Sequence, residues 1–581
     1  MIKRVFRQML FSQILSTLAV TLCMLIDSIM IGRFLGVDAM AAYGFANPIL
    51  LAFTAIGCML SNGIQYVCSS YMGKGDTRSI DKCYTTVLIV GIGIAVLGMA
   101  LIFAFIRPLA GVLGATEGTE IHEMTQRYLL GFLIGAPAVI GAQIMIPYLQ
   151  MAGEQKMLII AVGAMTAADV LFDFLAVKAF DMGIFGMGLA SSLSYIFAFG
   201  IGLTYFLSKR CIYKFNFRFF DFSQMKGIAV GGGSAAVNQA SFTFLILLVN
   251  NLLRSFGGNT AVAAYSVIST MANVCYAFGS GVGSIGLMLG GIFYGEEDRG
   301  SIYTVVRTAV RYALILDIAV IALFMLIARP VASLFIADDP DTLALTAHGF
   351  RIFLLSILPS CLNTTFKNYY TGVKRIAFAN SISFLQNFLM PAVCAVALAQ
   401  IFGTDGIWMA FAGGELLALV IFSAVLWKFH GGVSLSAETY SYLPADFGAA
   451  PEDSLELSIR SADEVISASR TAEEFCKAKG QSARMSYFMA LCIEEMANNV
   501  VSYGFTEGRD NLIELRLIKK EDRWILRLRD NCESFDPVHY MELHKTEDDP
   551  TSHLGIRMVF AVVKDAKYVN SLGLNNLTLT L

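Results

Sequence analysis

Phe34-Leu-Gly-Val-Asp-Ala-Met-Ala-Ala-Tyr43 and Phe256-Gly-Gly-Asn-Thr-Ala-Val-Ala-Ala-Tyr265 align without a gap at a spacing of 222 residues, and Gly73 and Asp76 fall on Gly295 and Asp298 at the same offset. Chance similarity between Gly- and Ala-rich segments would not hold one register through separate loops, so the chain contains an internal duplication. Around the copies, apolar stretches of about 20 residues, long enough to cross a bilayer, recur as far as Trp427. We count about twelve. Six of them separate the copies, and an even number makes the halves parallel repeats related by an axis along the membrane normal. The expected fold is an all-α polytopic membrane protein with two parallel six-helix lobes, residues 1–215 and 216–430.

Composition agrees. The 581 residues are 56% hydrophobic and 15% charged, with a mean hydropathy of +0.63, too apolar for an ordinary soluble chain. A net charge of -3 gives no reason to expect a nucleic-acid partner. The cysteines are scattered without a Cys-x-x-Cys pair, so neither a disulfide framework nor a zinc site is indicated. With the N-terminus placed in the cytoplasm and read as a retained first span, alternate loops carry roughly nineteen Lys/Arg against about seven in the others. Both termini are therefore expected in the cytoplasm of a cell-membrane protein. A two-lobed build suits transport along a pathway between the halves. No Gly-x-x-x-x-Gly-Lys-Ser/Thr run occurs, which excludes a P-loop ATPase as the energy source.

Residues 431–450, with Gly431, Gly432, Pro444 and Gly448, read as a flexible linker. Charged residues become much denser beyond it, and residues 451–581 read as a separate soluble α/β domain. Alternating strands (Leu512-Ile-Glu-Leu-Arg-Leu, Trp524-Ile-Leu-Arg-Leu) mix with helices, one opening on a Ser461-Ala-Asp-Glu464 capping box and one running over about 482–503.

Carboxylates inside spans cost several kcal/mol unless they face protein or water, which makes each a functional candidate. Asp27 lies six residues before Arg33, and Asp173 five before Lys178. Both therefore sit at matching depth, some 8–9 Å below the outer surface at about 1.5 Å per residue. Asp169 is one turn deeper on the face of Asp173. Crowded carboxylates can be neutralised by a shared proton or by Na⁺, and either couples a cation to conformation. Gln143, Gln239, Asn250 and Asn251 are candidate pathway residues, or partners in interhelical hydrogen bonds.

Leu25-Ile-Asp-Ser-Ile-Met-Ile-Gly-Arg-Phe-Leu-Gly36 with Ala41-Ala-Tyr-Gly44, then Tyr71-Met-Gly-Lys-Gly-Asp76, Phe185-Gly-Met-Gly188 and Phe402-Gly-Thr-Asp-Gly-Ile-Trp408, resemble the multidrug and toxic compound extrusion (MATE) family over about residues 10–430. The resemblance implies a twelve-helix exporter that exchanges small organic, usually cationic or amphiphilic, compounds for Na⁺ or H⁺. It places Asp27 on the family's first-helix acidic position and Asp173 on its fifth-helix one. Asp169 stands where many relatives have Asn, which leaves Na⁺ and H⁺ both open.

In the soluble domain Glu494-Glu-Met-Ala-Asn-Asn-Val-Val-Ser-Tyr-Gly-Phe505, Arg529-Asp-Asn-Cys-Glu-Ser-Phe-Asp-Pro537 and Leu554-Gly-Ile-Arg-Met558 occur in order. They resemble the nucleotide boxes of GHKL (Bergerat-type) ATPases, nearest the anti-sigma-factor serine kinases. Glu495 and Asn499 share a helix face, so Asn499 can ligate the Mg²⁺ of ATP and Glu495 can take a proton from the attacking water or hydroxyl. Asp530 would accept the adenine amino group, and Gly555, opening a helix, would offer N–H groups to phosphate. The resemblance adds Phe535 to the nucleotide-binding set. Cys532 and His553 stand where that family has Gly and crowd the expected ligand.

The leading expectation is a secondary drug/cation antiporter with an ATP-binding regulatory domain. A lipid or lipid-linked saccharide flippase is the alternative within transport, disfavoured by the acidic first helix. In the third reading the C-terminal domain is a serine/threonine kinase of a small regulatory (anti-anti-sigma-like) protein, with the membrane part as its sensor.

Overall fold

The computed structural model of the chain describes residues 1–208, 211–336, 340–508, 510–520, 523–543 and 554–581. Ten helices in it are long and apolar enough to cross a bilayer, and two bent pairs bring the crossings to twelve if each counts as one. In order, spans 1–6 are Ile2–Leu35, Asp38–Lys74, Thr77–Ala104, the pair Glu120–Leu133 with Ala136–Met151, Gln155–Ala179 and Gly183–Thr204. Spans 7–12 are Gln224–Gly258, Thr260–Gly295, Arg299–Ala332, the pair Pro340–Leu354 with Ile357–Gly372, Ile376–Phe402 and Thr404–His430.

The duplication is visible in the backbone. The fourth crossing of each half is the bent one, by 48° and 46°. Gly36 and Gly258, 222 positions apart, both turn the chain through positive φ, 89° and 64°, between the first and second spans of their halves. Asp76 caps span 3 by accepting from the Ser79 N–H at 3.1 Å, and Asp298 caps span 9 from Ser301 N–H at 3.0 Å. The lobes meet where spans 2 and 8 end. A Cβ on Gly73 would strike the carbonyl of Ile292, and one on Gly295 would lie 2.6 Å from the carbonyl of Ser70, so only glycine allows these backbones to cross.

The soluble domain is a five-stranded sheet in the order β1-β2-β3-β5-β4, with β1 Ser454–Ile459, β2 Ile513–Lys520, β3 Arg523–Asp530, β4 Asp565–Ser571 and β5 Leu574–Thr580, every neighbouring pair antiparallel. Strand alternation sorts its two faces. Ile513, Leu515, Leu517, Leu526 and Leu528 form a core with Val465, Met489, Ile493 and Val559 from the helices Ala462–Ala478, Ala483–Asn499 and Leu554–Val562. Half of the capping box forms: Ser461 Oγ accepts from Glu464 N–H at 3.4 Å, whereas the Glu464 carboxylate reaches past Ser461 and accepts from Arg460 N–H at 2.7 Å.

The other face carries Arg516, Arg527 and Arg529, each less than 10% exposed, because it rests on the transporter. Tyr213 Oη donates to the carbonyl of Asn570 at 3.3 Å, Leu572 N–H to Met151 carbonyl at 2.9 Å, and the N-terminal ammonium to Glu514 at 3.1 Å. The two chain ends are thus on one side of the span bundle.

Residues 431–450 are not the loose tether that their glycines and prolines suggest. Tyr440 Oη donates to Ser423 Oγ at 2.9 Å, Tyr370 and Tyr369 donate to the carbonyls of Tyr440 and Ser441 at 2.6 and 2.9 Å, and Arg299 grips the carbonyls of Pro444, Ala445 and Phe447 at 2.8–2.9 Å. Phe447 also stacks on Tyr294, with centroids 5.0 Å apart. Aromatic residues within a turn-rich segment, rather than its turn residues, decide how it is held.

Candidate functional site

Asp27 on span 1 and Asp169 and Asp173 on span 5 converge, each offering an oxygen within 4.8 Å of the others. All three are buried, at 7%, 2% and 0% exposure. Ser191 of span 6 donates to Asp27 Oδ2 at 3.2 Å. The second oxygen of Asp27, one of Asp169 and both of Asp173 are buried without a donor. Two carboxylates about 5 Å apart repel by about 3 kcal/mol at an effective dielectric of 20. A bound cation or proton would offset that repulsion. Each Asp-bearing helix loosens into a π-turn soon afterwards, at Ile31–Leu35 and Leu175–Ala179. There the Lys178 ammonium lies 4.5 Å over the ring of Phe34 and ties the two irregular turns together.

Between the lobes lies a cavity of about 540 Å³. Gln143 and Gln239 line it as expected, whereas Asn250 and Asn251 are not in its wall. Asn251 Nδ2 donates instead to the Leu247 carbonyl of its own helix at 2.9 Å. The wall also holds Lys367 and Glu415, which the sequence reading passed over. Lys367 Nζ donates to Asn238 Oδ1 at 2.9 Å, and Glu415 accepts from Asn363 at 2.8 Å. Asp317 of span 9, fully buried with no donor to either oxygen, was missed as well. The rule that flags ionisable residues inside spans applied to all three.

In the soluble domain, Glu495 and Asn499 lie on the helix Ala483–Asn499, which relaxes into a π-turn over Val500–Gly504. Gly555 in the first turn of Leu554–Val562 packs so closely on the Glu495 carboxylate that any Cβ would collide with it. Asp530 ends β3, 5% exposed. Its Oδ1 accepts from Cys532 N–H at 2.9 Å and from Asn575 Nδ2 at 2.7 Å. Burial pushes the Asp530 carboxyl above the usual carboxylate range, and those two residues pull it partly back. Phe535 is half exposed and packs on Tyr540. Cys532 is buried, with its Cβ 3.0 Å from where a Cβ on Gly504 would stand. His553 lies outside the described residues. The residues fit a nucleotide: a held acceptor at Asp530, a Glu/Asn pair on one helix, and a glycine without which the Glu495 carboxylate could not approach the Leu554–Val562 helix.

The sheet face turned toward the membrane makes a second polar centre. Glu296 Oε2 lies 3.1 Å from Arg527 and 2.5 Å from Arg529, Asp298 is 2.9 Å from Arg516, and Glu297 pairs with Lys520. Burial pushes the Asp298 carboxyl up, but Arg516, Arg529 and the hydrogen bonds from Ser301 outweigh it and hold it below the usual range.

The MatE family matches residues 13–175 and again 234–397, the two halves of the duplication, and the histidine kinase-like ATPase domain matches residues 460–581. The multidrug export protein MepA of Staphylococcus aureus is 21% identical over 388 residues, 65% of this chain and 83% of MepA. The serine/threonine-protein kinase BtrW of Bordetella bronchiseptica is 33% identical over 132 residues, 22% of this chain and 92% of BtrW. Among solved structures, a MATE transporter in complex with MaL6 superposes with a TM-score of 0.68 at 19% identity, covering 72% of this chain and 94% of that one. The Vibrio cholerae MATE transporter VcmN does so with a TM-score of 0.68 at 19% identity, covering 76% and 98%. The chain therefore belongs to the MatE family of membrane transporters and carries a histidine kinase-like ATPase domain at its C-terminus.

Proposed function

We propose that this protein is a secondary antiporter that exports a small organic compound from the cytoplasm in exchange for inward-moving Na⁺ or H⁺ taken up at Asp27, Asp169 and Asp173. The observation that carries the reading is the convergence of the three buried carboxylates, with oxygens within 4.8 Å of one another and several without a donor. Such a group alternates between a cation-loaded and an emptied, self-repelling state, and the difference biases the packing of spans 1, 5 and 6. Asp27→Asn and Asp173→Asn should each abolish gradient-driven exchange in proteoliposomes while the protein remains inserted and folded. Asp169→Asn should be milder and shift cation preference. Wild-type exchange in the first two variants overturns the assignment.

The soluble domain regulates this cycle in the same reading. Asp530 would hold the adenine, Asn499 the Mg²⁺ and Gly555 the phosphates, with Glu495 placed to accept a proton; ATP supplies the transferable phosphoryl group. Docking of the opposite sheet face on the loop between spans 8 and 9 supports communication between the nucleotide site and the transporter. Isolated 450–581 should bind ATP with Mg²⁺, weakened about ten- to a hundredfold by Asp530→Ala, and transport should persist in Glu495→Ala. ATP-driven uphill transport in ionophore-treated vesicles, lost in Glu495→Ala, overturns the division of labour.

The likeness to BtrW favours one further reading of the same site, phosphoryl transfer to a serine or threonine of a small regulatory protein. Proteins phosphorylated in a Glu495-dependent way, sought with labelled ATP, test it.

A further inference from the structure

The central cavity differs from what the export of lipophilic cations calls for. A site for such a compound presents aromatic walls and unbalanced negative charge. Here carboxamides stand on all sides, with Gln13, Gln65 and Gln143 on the first lobe and Asn238, Gln386 and Asn387 on the second. Serine and threonine hydroxyls fill much of the space between them. Lys367 and Glu415 are the charged residues in this wall, one of each sign, so their formal charges cancel. Part of this polarity is structural: Asn238 Oδ1 accepts from both Lys367 and Asn387, at 2.9 and 2.8 Å, and Gln65 from Ser284 at 3.2 Å. The rest is unspent. Gln386, 3% exposed, has its Oε1 buried without a donor. A buried amide oxygen without a donor is costly, and a ligand N–H or O–H would recover that cost once the side chain turns its oxygen into the cavity. Phe242, Tyr276 and Phe411, together with Val20, Ile146 and Leu245, supply an apolar wall as well, so the carboxamides and the charge balance, not a lack of apolar surface, set this cavity apart.

We propose that the carboxamide-lined cavity between the lobes binds an uncharged or zwitterionic solute dense in hydroxyl or amide groups, of disaccharide or dipeptide size, in preference to a lipophilic cation. About 540 Å³ suits such a ligand. The cancelling charges of Lys367 and Glu415 set the preference, because an extra positive charge entering the wall meets the Lys367 ammonium as well as the Glu415 carboxylate. Identifying this solute as the exported compound rests on the antiporter reading; its binding does not.

The test uses purified full-length protein in nanodiscs and three probes: a disaccharide, a dipeptide and tetraphenylphosphonium. Saturable binding of the disaccharide or the dipeptide, weakened at least about tenfold by Gln386→Leu, is expected, and which of the two binds tells hydroxyl from amide chemistry. Lys367→Gln removes the cation that offsets Glu415 and should raise tetraphenylphosphonium affinity about tenfold, a gain that misfolding cannot imitate. Tight tetraphenylphosphonium binding by the wild type, or binding of neither polar probe, overturns the proposal. If a polar probe binds but ion gradients do not move it in proteoliposomes, the ligand class stands and the antiporter reading fails.

Discussion

Tyr71-Met-Gly-Lys-Gly-Asp76 and Phe293-Tyr-Gly-Glu-Glu-Asp298 are the same loop in the two halves of the molecule, and they have diverged where it matters. Both cross their partner span at a glycine, pass one residue through left-handed backbone and cap the next span with aspartate. In the first copy the left-handed position is Gly75, at φ 72°. In the second it is Glu297, at φ 55°, where a side chain costs about 1 kcal/mol or more. Lys74 corresponds to Glu296. The first copy only brushes the soluble domain, where a Cβ on Gly75 would lie 3.2 Å from Lys567. The second receives its arginine face. Both copies serve lobe packing, and one carries in addition a charge pattern, and a backbone strain, that packing does not require.

Converting the second copy toward the first should have the largest effect. Glu296→Lys places a cation against Arg527 and Arg529 in a buried setting, where removing one partner of an ion pair already costs about 3–5 kcal/mol. Hydrogen exchange at Leu572, whose N–H bonds to the Met151 carbonyl across the interface, should then lose its protection; unchanged protection there would show that the arginines do not hold the domain. Asp298→Asn keeps the cap on span 9 but loses the charge opposite Arg516, for a docking loss of about 1.5–3 kcal/mol. The matched change Asp76→Asn, also retaining its cap, should cost less than about 0.5 kcal/mol, and equal thermal shifts for the two would break the comparison.

Backbone strain gives smaller effects. Glu297→Gly relieves about 1 kcal/mol and forfeits a half-exposed pair with Lys520 worth about 0–1 kcal/mol, so stability should change little or rise. Gly75→Glu should destabilise by about 1–2 kcal/mol, read in parallel melts. Acidification should do least. The Asp298 carboxyl is depressed in the folded protein, so its contribution is full above the ordinary aspartate range and lost only as pH falls through the lowered value. Docking followed by hydrogen exchange should be constant from about pH 7.5 to 5 and weaken only below about pH 4. A midpoint near pH 6 would assign the clasp to another group.

Much of this was legible in the sequence because it is one-dimensional. The 222-residue register, the apolar spans, the matching depths of Asp27 and Asp173 and the shared face of Asp169 and Asp173 follow from spacing along helices; that spans 1 and 5 bring the three together does not. The three nucleotide boxes gave the soluble domain's strand and helix residues in the same way. What stayed hidden depends on which surfaces face each other. Arg516, Arg527 and Arg529 alternate with leucines as any solvated sheet face does, and nothing local says that such a face is covered. Lys367 and Glu415 lie in different spans, so their sharing of one cavity wall has no signature in either segment. Beyond the nearby Ser423, the grip on residues 431–450 comes from Tyr294, Arg299, Tyr369 and Tyr370, all more than 60 positions upstream of it.

That grip bears on how the domain is reached by competitors. With its connecting strap pinned against spans 9, 10 and 12, the soluble domain cannot wander far when its ion pairs open, so its arginine face meets Glu296 and Asp298 at an effective concentration in the millimolar range or above. A second copy of the domain, or an acidic protein offered to the same face from solution, competes at a large disadvantage and would gain access only after the strap itself lets go of Arg299.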